Sequence, residues 1–202
     1  MSIPVRQTLS TRSRLEKAPV IEPRNRADFR RWLETGWESQ QGSWVVYTKK
    51  SAENLTLSYT DIVEECLCFG WIDSTSRKVD EERAKIYVCP RKSNSGWSSV
   101  NKKRIEKLKA QGLINQAGLE CIDRAKEHGS WTRFDDAEAL AIPVDLQKEL
   151  KKYPNATINF DGFPNSAKKS LLQWIFDAKR PETRVRRIQE IAVSAEEDKR
   201  AR

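Results

Sequence analysis

The chain has one histidine and one methionine in 202 residues, and its apolar runs are only a handful of residues long. A helix that crosses a bilayer needs about 20 such residues, so integral membrane association is not expected. The single imidazole, His128, leaves any Ser or Cys triad resting on one residue. It stands just before Gly129 at an expected helix end, where it suits the negative pole of the helix. The cysteines are as sparse: Cys66, Cys68, Cys89 and Cys121 form no CxxC pair and, with His128, no recognisable zinc set. No signal-peptide apolar core is present either. Four reduced thiols, a cytoplasmic location and no metal or cofactor are therefore expected. A P-loop is missing, as are helix-turn-helix and RNP-type patterns.

What is present is charge and tryptophan. The formal net charge is +8, with 33 % charged and 38 % apolar residues and seven Trp to supply core area. Residues 77 to 109 hold eleven Lys/Arg against four Asp/Glu, so this stretch alone carries +7. Such charge invites nucleic acid, phosphorylated ligands or acidic membrane surfaces without selecting among them. The length suits one sizeable domain, or a domain of about 140 residues with an appendage.

A helix is expected from Asn25 as cap to Gly36, with Phe29, Trp32 and Leu33 on one face. A strand follows at Ser43 to Lys49, rich in β-branched and aromatic residues. Ser58 and Asp61 form a capping box for the next helix, whose stripe is Tyr59, Ile62, Val63, Cys66 and Leu67, ended by Gly70. Trp71 to Val79 and Ala84 to Pro90 read as an antiparallel hairpin around Asp80-Glu81-Glu82. Helices come next over about 97–111 and 116–127. From Phe134 strand patterns vanish, and helices are expected over about 144–153, 166–179 and 182–195, the last with Val185, Ile188 and Ala192 inward. The expected organisation is a disordered arm over 1–24, an α+β domain over 25–133 with an antiparallel sheet packed on helices, and a helical C-terminal module over 134–202.

These residues resemble a known family. FRRWLE (Phe29 to Glu34), YTDIVEECLCFGWIDS (Tyr59 to Ser74), PRKSNSGWSSVN (Pro90 to Asn101) and AKEHGSW (Ala125 to Trp131) are similar to stretches of the YdeI/OmpD-associated, bacteriocin-protection proteins. The tail from Ser170 through Arg187-Ile188 looks like that family's C-terminal helical module. The resemblance implies a first domain like the YjbR/CyaY-like folds and a loose link to resistance against bacteriocins or antimicrobial peptides. It brings no catalytic residues, and a fold alone does not fix a function.

Two segments have the chemistry of a site. In Gly70-Trp71-Ile72-Asp73-Ser74, alternation puts Trp71 and Asp73 on one sheet face, an aromatic plate beside a carboxylate. The simpler alternative is a core Trp71 and an Asp73 bonded to backbone or to an Arg. In Pro90 to Asn101, Arg91, four serines and a helix start would suit a phosphate or carboxylate. The alternative there is a loop capped by Ser95 or Ser98. On a helical wheel Asn101 and Arg104 fall on either side of Trp97 and Leu108, inside an apolar stripe flanked by Val100 and Ile105, while Lys102 and Lys109 lie on one flank and Lys103 and Lys107 on the other. That spread forms no single basic stripe. The tail run Thr183 to Arg187 reads as an exposed helix face.

The expected function is a binding protein that holds a small anionic or polar ligand at Trp71, Asp73, Arg91, Trp97 and Asn101. The rivals are a nucleic-acid binder using the basic surface, and an enzyme using Asp73 and Arg91 on an unidentified substrate. Thiol titration of the denatured, non-reduced protein should count all four cysteines as free groups. A lower count would show that the oxidising and reducing compartments have been confused.

Overall fold

A computed structural model describes residues 15–36 and 42–201, so most of the expected arm, residues 1–14, lies outside the described part. Contacts divide the chain into two compact units. The first is Met1–Ser95 with Lys103–Glu127, and the second is Gly96–Lys102 with His128–Arg202.

The first unit carries strands β1 (Val20–Ile21), β2 (Ser43–Thr48), β3 (Trp71–Lys78) and β4 (Arg83–Pro90), in the sheet order β1-β2-β4-β3. β2, β4 and β3 are antiparallel, and the short β1 adds a parallel pairing, Val20 opposite Trp44 and Ile21 opposite Val45. The α+β class thus holds, with a mixed rather than purely antiparallel sheet. The register of β3 against β4 shifts between Asp73 (opposite Val88) and Ser76 (opposite Ile86), which is a one-residue bulge in β3.

Helix α1 (Arg26–Gly36) starts where Asn25 Oδ1 accepts from the Asp28 amide at 2.9 Å, and it buries Phe29 and Leu33. Helix α2 (Tyr59–Cys68) has the complete Ser58–Asp61 capping box. It is more enclosed than one stripe implies: Glu64, Glu65 and Cys68 are buried along with Ile62, Val63, Cys66 and Leu67, whereas Tyr59 is 41 % exposed. Helix α3 (Ser99–Ala110) belongs to both units, and helix α4 (Gln116–Glu127) completes the first. Ile105 and Leu108 are buried, but Val100, placed at the flank of the expected stripe, is 55 % exposed.

α4 reaches α2 through a glycine. A Cβ on Gly118 would stand 2.2 Å from the Cys68 carbonyl oxygen, and the Asn115 amide donates to that same oxygen at 2.9 Å. Gly70, at φ +71, ends α2 in the left-handed conformation that glycine tolerates best.

The second unit is helical: α5 (Asp135–Glu138), α6 (Val144–Leu150), α7 (Ala156–Gly162), α8 (Asn165–Phe176) and α9 (Pro181–Glu196). Its core joins Leu146, Leu150, Phe160, Leu171, Leu172, Ile175, Ile188 and Ile191. Two of these helices were not expected. α5 is a single turn, and α7 arises from a segment rich in Asn, Thr and Gly that buries Ala156 and Phe160. In α9 the inward face is Ile188, Ile191, Ala192 and Ala195, and Val185 points out. The run expected as an exposed face is also partly engaged. Arg184 grips Asp145 at 2.7 and 3.0 Å, and Arg187 donates to the Trp174 carbonyl at 2.5 Å.

The Gly118 contact can be checked. Gly118→Ala should lower the unfolding free energy by about 1–3 kcal/mol, since a backbone carbonyl cannot step aside as a side chain can. Gly162→Ala, where a Cβ meets nothing within 4 Å, should leave stability within about 0.5 kcal/mol. Equal effects in urea denaturation would mean that the close approach is not a constraint.

Candidate functional site

The first three candidate residues stand at one end of the β3–β4 hairpin. Gly70 turns the chain from α2 straight into β3, and its carbonyl accepts from the Arg91 amide at 2.9 Å, so Arg91 leaves β4 opposite the turn. Trp71, the first strand residue, is 2 % exposed and meets the Trp32 ring edge-on at 5.5 Å. Asp73 follows on the same face, where its carboxylate accepts from the Tyr59 hydroxyl at 2.8 Å. Tyr59 therefore joins the cluster, a residue that was assigned only to the α2 stripe. Burial of the phenol and its bond to Asp73 push the Tyr59 pKa up to about 12.

Arg91 is half-buried. Burial pushes its guanidinium down to about 10, offset in part by Cys121 and Asp73, and it still carries its proton at neutral pH. Cys121, on α4, is buried, and burial raises its thiol pKa against the pull of Arg91. Cys66 and Cys68 are buried free thiols too, and Cys89 is half-buried.

Trp97 and Asn101 belong to the second unit. Trp97 is buried against Trp131, ring centroids 5.2 Å apart. The Asn101 amide donates to Ser98 Oγ at 3.3 Å, so Ser98 serves the first turn of α3. A Cβ on Gly96 would fall 2.3 Å from the Phe134 ring, so the loop packs too tightly for any other residue. The helix start, read from sequence as suited to an anion, already has one. Glu138 accepts from Ser99 Oγ at 2.9 Å and the Ser99 amide at 3.4 Å, and Lys169 joins it at 3.1 Å. Burial works against this carboxylate, but its bonds from Lys169 and Ser99 hold it below the ordinary glutamate range. The dipole and amides of α3 thus serve an acid of the chain itself.

A second cluster was not foreseen. Glu65, 2 % exposed, accepts from Arg26 Nε at 2.7 Å and Arg30 Nη1 at 2.9 Å. Arg26 Nη1 also donates to Glu64 at 2.8 Å and Asp61 at 3.3 Å, and Arg30 Nη2 to the Leu113 carbonyl at 3.0 Å. Burial opposes the Arg26 charge, yet its bonds to Glu65 and Glu64 raise its pKa above the ordinary arginine value. With Lys107, 3.9 Å from Glu64, these side chains line an open crevice of about 440 Å³. The signal in the sequence was the Glu64-Glu65 doublet inside an otherwise apolar helix. Its partners lie 35 to 39 positions away, a pairing that no local pattern reveals.

The basic stretch is correspondingly less free than its charge suggests. Lys102 bonds Asp135 and covers the Trp131 ring, and Lys107 faces Glu64. Among the described residues no group of three or more His, Cys, Asp or Glu is placed to hold a metal ion, and no helix is long and apolar enough to cross a membrane.

The Tyr59–Asp73 bond makes a titration prediction. A folded pKa of about 12 against an unfolded value near 10 means that this contribution to stability is complete below pH 10 and fades as pH rises through 12. Ultraviolet titration should show one tyrosine ionising last, and Asp73→Asn should bring it back towards 10. No change on that substitution would remove Asp73 as the cause.

Comparison with known proteins places these units. No curated protein and no solved structure gives a significant match. Residues 139–198, within the second unit, match the family described as Bacteriocin-protection, YdeI or OmpD-Associated. Residues 21–121 match a family described as Domain of unknown function (DUF8412). That segment includes the sheet, helices α1 to α3, the hairpin end with Trp71, Asp73 and Arg91, and the Arg26–Glu65 cluster. Since it makes up half of the 202 residues, the chain belongs to the DUF8412 family, with a C-terminal segment that is similar to the bacteriocin-protection family.

Proposed function

We propose that the chain is a cytoplasmic binding protein contributing to protection against bacteriocins or antimicrobial peptides. In this reading the first unit, akin to the YjbR/CyaY-like folds, binds a small anionic or polar ligand at Trp71, Asp73 and Arg91. Trp97 and Asn101 are further candidates from the second unit. The biological half of the proposal is supported by the match of residues 139–198.

The ligand half is supported above all by the end of the hairpin, where Trp71 and Asp73 share a face of β3 and the Arg91 amide bonds the Gly70 carbonyl beside them, which gathers a cation, an acid and a ring. Asp73, already bonded by Tyr59, and the Trp71 ring add an acceptor and an apolar wall, the mixture that small-ligand sites favour.

Two measurements separate this from a structural ion pair. Because Tyr59 satisfies Asp73, Arg91→Gln should change stability by less than about 1 kcal/mol, as buried charges often do when replaced by neutral side chains. A loss of about 3–5 kcal/mol would instead mark Arg91 as the partner of a carboxylate that it leaves stranded. Thermal unfolding of the full chain against small carboxylates and polar ring compounds should find a saturable rise in Tm that Arg91→Gln and Asp73→Asn abolish. A rise that survives both variants places the ligand elsewhere.

A further inference from the structure

The helices α1 and α2 cover one face of the sheet, with Tyr59 on Asp73 and Trp32 on Trp71. The opposite face carries a different set of side chains. Cross-strand register puts Trp44 beside Tyr87, and Val46, Lys85 and Arg77 in the next row. The Trp44 ring is fixed in place: its Nε1 donates to the Leu15 carbonyl at 2.8 Å, and Tyr87 meets it edge-on at 5.6 Å. Above that ring stand two cations, the Arg77 guanidinium 4.8 Å and the Lys85 ammonium 5.2 Å from its centroid.

Like charges directly opposed across two strands repel, and a sheet normally avoids the pairing. The same hairpin shows how its other cations are neutralised. Arg83 bonds Asp80 at 2.8 Å and Glu22 at 2.6 Å, and Lys78 bonds Glu81. Among the described residues no carboxylate bonds Arg77 or Lys85. The indole face attracts both, but it carries no net charge to cancel theirs. The bulge at residues 74–75 sharpens the point. In a regular strand of the same residues Arg77 would stand opposite Ala84 on the helix-covered face, away from Lys85; the bulge takes up one residue and sets the two cations opposite each other.

We propose that Arg77 and Lys85, held side by side on the Trp44 ring, form a binding site for a phosphate monoester, separate from the Arg91 cluster. A planar guanidinium fork takes two oxygens of a phosphate, and an ammonium adds a point charge. Two positive charges match a phosphomonoester, which carries about −1.5 to −2 at neutral pH, better than a carboxylate or a diester with a single charge. The monoester therefore has a small molecule or a phosphorylated side chain as its source, rather than the backbone of a nucleic acid.

The test uses the full chain and the indole N–H resonance of Trp44, assigned by its loss in Trp44→Phe. At constant ionic strength, inorganic phosphate and phenyl phosphate should move that resonance saturably. Dimethyl phosphate should bind roughly tenfold more weakly, as should either monoester probe to Arg77→Gln or Lys85→Gln, the loss expected from one charge-assisted bond. Arg83→Gln, which alters a neutralised cation of the same hairpin, should bind inorganic phosphate within about twofold of the wild type. In low salt without phosphate, Arg77→Gln and Lys85→Gln should unfold at no lower temperature than the wild type, because each relieves a repulsion. Phenyl phosphate acting where inorganic phosphate does not would assign the site to phosphate esters, and equal action would assign it to the free group as well. A response that never saturates, one unchanged in both variants, or an oligothymidylate binding as tightly as the monoesters would overturn the proposal. So would variants that unfold early, since the cations would then be a structural cover for Trp44.

Discussion

A carboxylate at the centre of a helix decides how the first unit is put together. Glu65 sits in α2 among Ile62, Val63, Cys66 and Leu67, almost wholly withdrawn from solvent. Such a charge is tolerated only with partners of good geometry, because losing one leaves several kcal/mol uncompensated. Arg26 and Arg30 meet that need from successive turns of α1, and in doing so they fix where α1 lies on α2. Asp61 is used twice, closing the cap with Ser58 and accepting from Arg26, so the start of α2 is held by the same cation as its middle. Once α2 is placed, Tyr59 and Gly70 are placed at its two ends. Those two determine how β3 begins and what Asp73 meets.

The second unit solves a different problem with the same chemistry. Its helices are short, and short helices need partners at their ends as well as an apolar face. Acids supply these partners over long sequence separations. Glu138 serves the start of α3, Asp145 binds Arg184, and Glu196 accepts from the backbone and side chain of Asn155 at 2.7 and 3.0 Å. Arg184 holds the Asp145 carboxyl below its usual range, so this bond belongs to the neutral and mildly acidic protein and is lost as pH falls through the folded pKa.

Elements with their own local signals were legible in the sequence. Ser58 and Asp61 marked the start of α2, Pro181 that of α9, and the acidic turn marked the hairpin. What stayed hidden depended on partners far along the chain. α7 is built from poor helix formers and exists because Phe160 has a core to enter and Glu196 caps it from α9. Nothing in Ser99 to Ala110 shows that the helix passes from one unit to the other after Lys102. At the candidate site, alternation was enough to place Trp71 and Asp73 on one face. Tyr59 as the partner of Asp73, and Glu138 as the anion of α3, required the folded chain.

The bulge in β3 shows how little sequence separates two kinds of sheet. A strand is a parity code in which odd and even positions face opposite worlds, and inserting one residue inverts every position after it. In β3 the inversion falls between Asp73 and Ser76. Trp71 and Asp73, read before it, address the interior; Arg77, read after it, addresses the outside, although all three are odd-numbered. The same residues drawn out as a regular strand would set Arg77 opposite Ala84, inward, and leave Lys85 as a lone charge. The bulge takes up one residue, and with it the whole outer row keeps its partners, with no change in the identity of any residue.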